Sequence, residues 1–194
     1  MDNLQDRGIE KYGLGDIGDW ASLVFPTVYP GNEPFTEAQL MGWEDHEPVP
    51  IGYVFIIERK FERPGKKAKW KLPAGHMKKE SEETGWNFDR TPLDTAVHEL
   101  ESETGILLPR AAFAYAGKYL HWRGDHWKCL FSAKMTEADL ARMNDYHPEN
   151  EGETPKFFTV DEFYEAVRKG EFLTEHYEKL VEFGLILPLG RDQE

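Results

Sequence analysis

The chain has little cysteine, no long apolar run and a shortage of positive charge. Its single cysteine, Cys129, excludes a disulfide within the chain and suits a reducing compartment, so we expect a cytoplasmic protein. No N-terminal signal pattern and no apolar run of about 18 residues is present, so neither export nor membrane spanning is expected. Internal repeats and low-complexity segments are also lacking, which argues against a repeat architecture.

Acidic residues clearly outnumber basic ones. The sequence holds 23 Lys and Arg against 36 Asp and Glu, for a net charge of −13 at pH 7. Such a balance argues against broad binding to a nucleic-acid backbone. A small charged substrate remains compatible with it, because a metal ion can offset the local field. With 194 residues and 40% hydrophobic content, the chain can bury one sizeable core.

Residues 91–106 carry the clearest local pattern, that of a capped helix. Thr91 suits the N-cap, Pro92 the first helical position, Asp94 the first turn, and Gly105 the C-terminal stop. Apolar residues recur at helical spacing, so one stripe of this helix is expected to face a core. The stripe consists of Leu93, Ala96, Val97 and Leu100.

Glu99 and Glu103 lie one turn apart beside that stripe. Like charges at this spacing repel each other unless a positive charge lies between them. A divalent cation such as Mg²⁺ takes oxygen ligands, often one or two carboxylates together with waters and substrate phosphates. The pair is therefore a candidate metal site, while a solvated helix face is the alternative that helical spacing alone favours.

Two segments together resemble the Nudix hydrolase family. Residues 70–76 read Trp-Lys-Leu-Pro-Ala-Gly-His, with Gly75 at the family's opening glycine, and residues 98–106 read His-Glu-Leu-Glu-Ser-Glu-Thr-Gly-Ile. The second segment follows the family frame of glutamate, apolar residue, glutamate, glycine and apolar residue. The resemblance implies an α/β fold with a mixed sheet sandwiched between helices. It also implies hydrolysis of nucleoside diphosphate derivatives at a Mg²⁺ or Mn²⁺ site, with Gly75, Glu99 and Glu103 in the metal centre.

The chain departs from the family pattern at three positions. His98 replaces the arginine, Ser102 replaces one glutamate of the metal-binding helix, and Arg90 replaces an earlier glutamate. A serine hydroxyl is a weaker ligand for Mg²⁺ than a carboxylate. An insertion within residues 78–90 also separates the two segments. It carries Glu80, Glu82 and Glu83, any of which could replace the missing carboxylate.

A further acidic ligand is expected from the segment 147–155. Glu151 is the first choice, because a Glu-Gly pair followed by an aromatic residue resembles the family's glutamate-bearing loop. Glu153 is the second choice and Glu149 is less favoured. A solvated acidic loop is the alternative interpretation. Under the metal interpretation, Glu103 is the leading ligand and Glu99 is either a ligand or the general base.

Candidate substrate-binding residues lie in a predicted hairpin over 113–133, with Arg123-Gly124-Asp125 at its turn. Trp122 and Trp127 could stack a base, while Arg123 and Lys118 could contact phosphate. Ordinary cross-strand pairing near a hairpin tip is the alternative and is favoured for these aromatics.

The domain organisation is expected to be simple. Residues 51–194 are assigned to the Nudix-like domain, with a strand at 51–58 and helices at 161–169 and 175–183. Residues 1–50, rich in Gly, Pro and Asp, are expected to form an irregular extension packed on the domain. This extension would cover the sheet or a partner subunit, which leaves a homodimer open.

Two functions from different classes follow. The first is a metal-dependent hydrolase that cleaves a diphosphate linkage in a nucleoside diphosphate derivative. The second is a catalytically inactive Nudix-fold module that binds a nucleotide or a protein partner. The changes at Arg90, His98 and Ser102 motivate the second hypothesis.

Overall fold

The structure is a computed structural model that describes residues 12–14, 19–41, 53–59, 68–77, 91–140 and 153–190, with the backbone alone at 53–59 and 153–154. The strands in these residues are β1 (Trp20–Tyr29), β2 (Tyr53–Arg59), β3 (Lys69–Lys71), β4 (Ala74–His76), β5 (Phe113–Leu120), β6 (Trp127–Thr136) and β7 (Glu153–Thr159). The helices are α1 (Glu37–Met41), α2 (Pro92–Thr104), α3 (Glu137–Leu140), α4 (Val160–Arg168) and α5 (Thr174–Glu182), and a 3₁₀ turn spans Arg110–Ala112.

All seven described strands join one mixed sheet with β1 at its centre. The main path runs β3-β2-β1-β6-β5, with β4 also paired to β1 and β7 to β2. Strand β1 runs parallel to β6 over ten residue pairs, from Trp20↔Trp127 to Tyr29↔Thr136. The other strand pairs are antiparallel. The parallel pair is joined through a long connection that contains α2, as parallel strands require.

Alternating side chains of β1 and β6 point into two separate cores. On one face, Val24 and Phe131 pack with Ala96 and Leu100 of α2. On the other face, buried residues of both strands pack with α4 and α5, because successive side chains of a strand point to opposite sides. This second core includes Leu23, Phe25, Leu130, Phe163, Ala166 and Leu180. The α/β fold with a mixed sheet between helices is therefore confirmed.

The N-terminal region departs from its expected irregular conformation. The expectation that residues 1–50 form an irregular extension is wrong for Trp20–Tyr29, which form the central strand. Every side chain of that strand is buried. Its pairing partner β6 lies about a hundred residues further along the chain, so no local pattern reveals the pairing. The proposed boundary at residue 51 stays a prediction.

The capped helix is confirmed in detail. The Thr91 hydroxyl accepts a hydrogen bond from the Asp94 amide, and Pro92 opens α2. Gly105 ends the helix with a left-handed φ of 72°, and its amide donates to the carbonyl of Glu101. A left-handed C-terminal residue favours glycine because other side chains are strained there.

The remaining predicted elements also form, with boundaries shifted by up to three residues. The predicted hairpin is β5 paired with β6, and the predicted strand and two C-terminal helices correspond to β2, α4 and α5. Among the described residues, no helix has the length and apolar character needed to cross a membrane.

Candidate functional site

The position of α2 against the core fixes where its carboxylates lie. Ala96 and Leu100 are fully buried against the sheet, and this holds the neighbouring helix positions close to β4. Glu99 and Glu103 are buried to 6% and 8% exposure, whereas Glu101 is exposed. The solvated helix face considered as the alternative is therefore not what the structure shows.

Glu103 is held by donors from the turn between β3 and β4. One carboxylate oxygen, Oε1, lies 2.8 Å from the ammonium Nζ of Lys71, and the other, Oε2, accepts a hydrogen bond of 2.9 Å from the Ala74 amide. Lys71 is itself buried, at 6% exposure. Buried charges are tolerated when they are paired and hydrogen-bonded, so this ion pair lowers the free-energy cost of burying Glu103.

Glu99 occupies the space beside the backbone of Gly75. A Cβ atom built on Gly75 would lie only 2.3 Å from the Glu99 carboxylate, far inside van der Waals contact. Gly75 is paired with Ser22 of the central strand, so the backbone there cannot easily move away. Glycine is thus required at this position for close approach of a carboxylate rather than for an unusual backbone angle.

A cleft of about 670 Å³ opens beside Glu103 and Gly75. This volume lies in the range of small-molecule sites, about 300–1,000 Å³. One wall comes from the β3–β4 turn with Lys71 and His76, and Ala21 and Leu23 of β1 lie beneath. The tip of the β5–β6 hairpin also lines the cleft and contributes His121, Trp122, Arg123, Asp125, His126 and Lys128.

The hairpin tip carries a compact group of histidines around one carboxylate. Asp125 Oδ1 lies 2.9 Å from Nδ1 of His121 and 2.7 Å from Nδ1 of His126. The His121 and His126 rings stack at 4.3 Å, and His76 meets His126 edge-on at 4.5 Å. The hydrogen bond from His121 lowers the pKa of Asp125, while burial lowers the pKa of His126.

Two of the predicted substrate-binding residues line this cleft. Trp122 is 78% exposed at the hairpin tip, and Arg123 stacks its guanidinium 4.8 Å from the centre of the Trp122 ring. Both side chains are accessible to a ligand in the cleft. The structure thus brings Trp122 and Arg123 together with Glu103 and Gly75.

The other two predicted substrate-binding residues, Lys118 and Trp127, are not among the residues that line this cleft. The Trp127 indole nitrogen donates to the Leu14 carbonyl at 2.6 Å, and Lys118 Nζ lies 4.1 Å from the centre of the Trp127 ring. Lys118 also donates to the carbonyl of Gly13. Strand alternation turns Trp127 to the α2 side of the sheet, while its neighbours on β6 face the cleft.

Several predicted residues lie outside the described part of the chain. Glu151 and Glu149 are among them, as are Arg90 and the insertion over 78–90 with Glu80, Glu82 and Glu83. Glu153 begins β7, but only its backbone is described. The prediction that a further carboxylate completes the site remains a prediction.

Sequence reasoning missed Lys71 and did not identify the histidine group as a candidate metal site. Nothing in the sequence distinguishes Lys71 from the other lysines nearby, because its partner Glu103 lies on a separate element. The histidine group did leave a signal. His121, Asp125 and His126 are three metal-competent side chains within one tight turn, which brings them together whatever the fold around them.

The residues near Gly75 fit a hard divalent cation. Glu103 and Glu99 both reach the same backbone corner at Ala74 and Gly75. An ionised carboxylate has about four acceptor sites, so it can accept hydrogen bonds and bind a metal ion at the same time. Mg²⁺ commonly uses only one or two protein carboxylates. Ser102 has no carboxylate. Its hydroxyl donates a hydrogen bond of 3.4 Å to the helix carbonyl of Glu99.

Comparison with known proteins identifies the family. The model of the NUDIX domain matches residues 44–179, which is more than half of the chain. A solved NUDIX hydrolase from Nitrosomonas europaea is similar in fold, with a TM-score of 0.50, 16% identity, and coverage of 86% of this chain and 88% of that one.

A MutT/nudix family protein from Enterococcus faecalis is also similar, with a TM-score of 0.41, 15% identity, and coverage of 73% of this chain and 43% of that one. No curated protein gave a significant match. The family match spans both the Gly75 segment and α2, and on this basis the chain belongs to the Nudix family.

Proposed function

We propose that this protein is a metal-dependent hydrolase that cleaves a diphosphate linkage in a small nucleoside diphosphate derivative. The observation that carries the proposal is the burial of Glu99 and Glu103 at the Ala74–Gly75 corner, beside an open cleft. Two buried carboxylates that meet at one backbone corner suit a Mg²⁺ or Mn²⁺ ion.

The charges lining the cleft support a phosphate-bearing substrate. Lys71, Arg123 and Lys128 line it and balance the carboxylates of Asp19, Glu103 and Asp125, although the whole chain carries a net charge of −13. Arginine binds phosphate with two parallel hydrogen bonds, which fixes orientation as well as adding affinity. A local group of cations in an acidic protein favours a small anion over an extended nucleic-acid backbone.

Trp122 supports the nucleoside part of the proposed substrate. Its ring is exposed and already stacks against Arg123, so a base in the cleft could stack on its open face. The short distance between Trp122 and Arg123 suits a compound in which a base and a diphosphate lie close together. The identity of the base and of the leaving group is not specified by these contacts.

The proposed roles of the carboxylates follow from their surroundings. A bound divalent cation would offset negative charge on the diphosphate and would lower the pKa of the attacking water. Glu103 would hold the cation, and Lys71 and the Ala74 amide fix the orientation of its carboxylate. Glu99 either shares the cation or accepts the proton of the water. Glu151 is proposed as a further ligand from outside the helix.

The proposed setting is the reducing cytoplasm, in which a single free thiol such as Cys129 is stable. Cys129 is buried among apolar residues of β6 and acts as a small core residue. A homodimer is compatible with this proposal.

The proposal is tested by a turnover screen of the purified protein. Nucleoside diphosphate sugars, dinucleoside polyphosphates, dinucleotides and nucleoside triphosphates are each incubated with Mg²⁺ or Mn²⁺, with and without a chelator. We expect metal-dependent cleavage of at least one class at the diphosphate, and analysis of the products identifies the bond that breaks. Absence of cleavage across the panel, in both metals, contradicts the proposal.

A second candidate is a non-catalytic module that binds a nucleotide. Two features of α2 favour this candidate. Ser102 contributes no carboxylate, and Lys71 already supplies a positive charge to Glu103. Nucleotide binding in calorimetry without turnover, and without dependence on a divalent cation, supports this candidate over the first.

A further inference from the structure

The tip of the β5–β6 hairpin holds a second group of side chains able to bind a metal ion, separate from the carboxylates of α2. We call His121, Asp125 and His126 the hairpin cluster. One nitrogen of each histidine and one oxygen of Asp125 all lie within 4.8 Å of one another. The cluster lines the cleft, but none of its members belongs to the segments that define the family resemblance.

The distances within the hairpin cluster are close to those of a metal site. Both histidines approach Asp125 Oδ1 through Nδ1, at 2.9 and 2.7 Å. Tetrahedral ligands with bonds of about 2.0–2.1 Å to Zn²⁺ lie about 3.3 Å apart. Each of these two nitrogen–oxygen distances would therefore have to widen by only about half an ångström to admit the ion.

The backbone already holds the cluster in place. The His121 amide donates to the His126 carbonyl at 3.0 Å, and the Gly124 amide donates to the His121 carbonyl at 2.7 Å. Gly124 has a left-handed φ of 71°, which suits a tight turn. Leu120 pairs with Trp127 immediately below the turn. A site built on such a closed turn loses little conformational entropy when it binds an ion.

Burial of the ligands also suits a metal ion. The His121 and His126 side chains are 15% and 9% exposed, whereas the Asp125 side chain is 53% exposed. Two sheltered imidazoles and a more open carboxylate leave room on one side for water or a substrate group. The His76 ring packs edge-on against His126 and shelters it on that side.

We propose that the hairpin cluster binds a divalent transition ion of the Zn²⁺ class. Imidazole ligands favour such ions, whereas the all-oxygen carboxylates of α2 favour Mg²⁺ or Mn²⁺. The two sites would thus select different metals within one cleft. An anion in the cleft would meet the transition ion through the open position beside Asp125. The alternative is that Asp125 only accepts hydrogen bonds and stabilises the turn.

The test uses Zn²⁺ and Co²⁺ alone, without substrate. Competition with a chromophoric chelator measures Zn²⁺ affinity and stoichiometry for the whole chain and for His121→Gln, His126→Gln and Asp125→Asn. His98→Gln is the matched control, because it removes a histidine from α2 and leaves the cluster intact. Glu103→Gln removes the leading carboxylate of the other site. Circular dichroism establishes that each variant is folded.

We expect one Zn²⁺ per chain in the wild type, in His98→Gln and in Glu103→Gln. Losing a ligand should weaken binding more than losing an outer partner does, so His121→Gln and His126→Gln should bind at least about 100-fold more weakly. Asp125→Asn, at the most exposed of the three positions, should also bind more weakly while the turn remains folded.

Co²⁺ gives a second readout, since four-coordinate Co²⁺ absorbs visible light strongly and hydrated Co²⁺ does not. We expect this absorption in the wild type and in Glu103→Gln, and its loss in folded Asp125→Asn and His126→Gln. The proposal is overturned if the wild type binds no Zn²⁺, or if its affinity is unchanged in Asp125→Asn and both histidine variants. Loss of binding in Glu103→Gln alone would also overturn it, by assigning the ion to the carboxylate site.

Discussion

Glycine at position 75 decides whether the two carboxylates can share one corner of the cleft. The Cβ atom of any other residue at position 75 would collide with the Glu99 carboxylate. Glu103 meets the same corner through the Ala74 amide. The helix spacing of the two glutamates was visible in the sequence, but their approach to this backbone depends on the pairing of β4 with β1.

Gly75→Ala is expected to lower stability by about 1–3 kcal/mol, because the added methyl group overpacks the space that Glu99 occupies. The displaced carboxylate should also weaken Mn²⁺ binding. Chemical denaturation measures the first effect and calorimetry the second. Gly190→Ala is the control, since a Cβ there meets no atom within 4 Å and should change stability by less than about 0.5 kcal/mol. Equal effects of both substitutions would contradict the proposed crowding.

Lys71 supplies positive charge to Glu103 and also opposes the arrival of a metal ion. Lys71→Met leaves a buried carboxylate without this partner, so stability in chelator should fall by about 3–5 kcal/mol. Because the competing ammonium is gone, Mn²⁺ should bind more tightly and restore part of the lost stability. Denaturation with and without Mn²⁺ measures both changes.

Lys128→Met is the control for Lys71→Met. Lys128 also lines the cleft but pairs with the exposed carboxylate of Glu175, so its loss should cost no more than about 1 kcal/mol. If Mn²⁺ fails to stabilise Lys71→Met more than Lys128→Met, Glu103 does not hold the metal.

At the scale of elements, α2 could be predicted almost completely and β1 could not. The limits of α2 are set by Thr91, Pro92 and Gly105, whose effects act within one turn of the chain. Strand β1 contains Pro26, and a proline argues against a central strand because it lacks an amide proton. Pro26 nevertheless lies within β1, opposite Ala133 of β6. The Ala133 carbonyl accepts a hydrogen bond from the Thr27 hydroxyl.

The candidate site shows the same division between local and distant signals. Glu99 and Glu103 share a helix face, so their proximity follows from the sequence. The sequence does not reveal that Trp122 lines the cleft while Trp127 packs on the α2 side. That difference depends on which side of the hairpin faces α2. Lys71 reaches Glu103 across two elements, and only the folded sheet brings them together.

The face of α2 also predicts the effect of restoring a carboxylate. Ser102→Glu adds a third acid one position before Glu103, and we expect Mn²⁺ affinity to rise by about tenfold, or about 1.4 kcal/mol. Ser102→Gln has the same shape without the charge and should bind no more tightly than wild type. Calorimetry on both variants decides the point, and an absence of gain in Ser102→Glu would argue against the alignment of this helix with the family frame.

At the scale of the whole molecule, two cores lie on opposite faces of one sheet. The cleft is lined by Glu103 of α2 and by the tip of the β5–β6 hairpin. Cys129 lies fully buried in the α2-side core and reports on its integrity. Burial raises the pKa of its thiol to about 12, so the thiolate stays scarce at neutral and mildly alkaline pH.

Cys129 should therefore resist an aromatic disulfide reagent in the native protein. The raised pKa means that moving from pH 7 to about pH 9, where a free thiol with a pKa near 8.5 ionises, should accelerate labelling little. One thiol per chain should react at once in denaturant, and Cys129→Ala gives the blank. Rapid native labelling that follows a pKa near 8.5 would contradict the burial of this core.

The central claim is that the buried glutamates of α2 carry out metal-dependent hydrolysis. The most direct measurement is the rate of cleavage of the best diphosphate substrate against Mg²⁺ concentration, for wild type, Glu103→Gln and Glu101→Gln. Glu101 lies on the same helix but is exposed, so it controls for loss of one charge from α2. We predict a loss of at least about 100-fold for Glu103→Gln and an unchanged rate for Glu101→Gln. Equal rates in all three proteins would contradict the account.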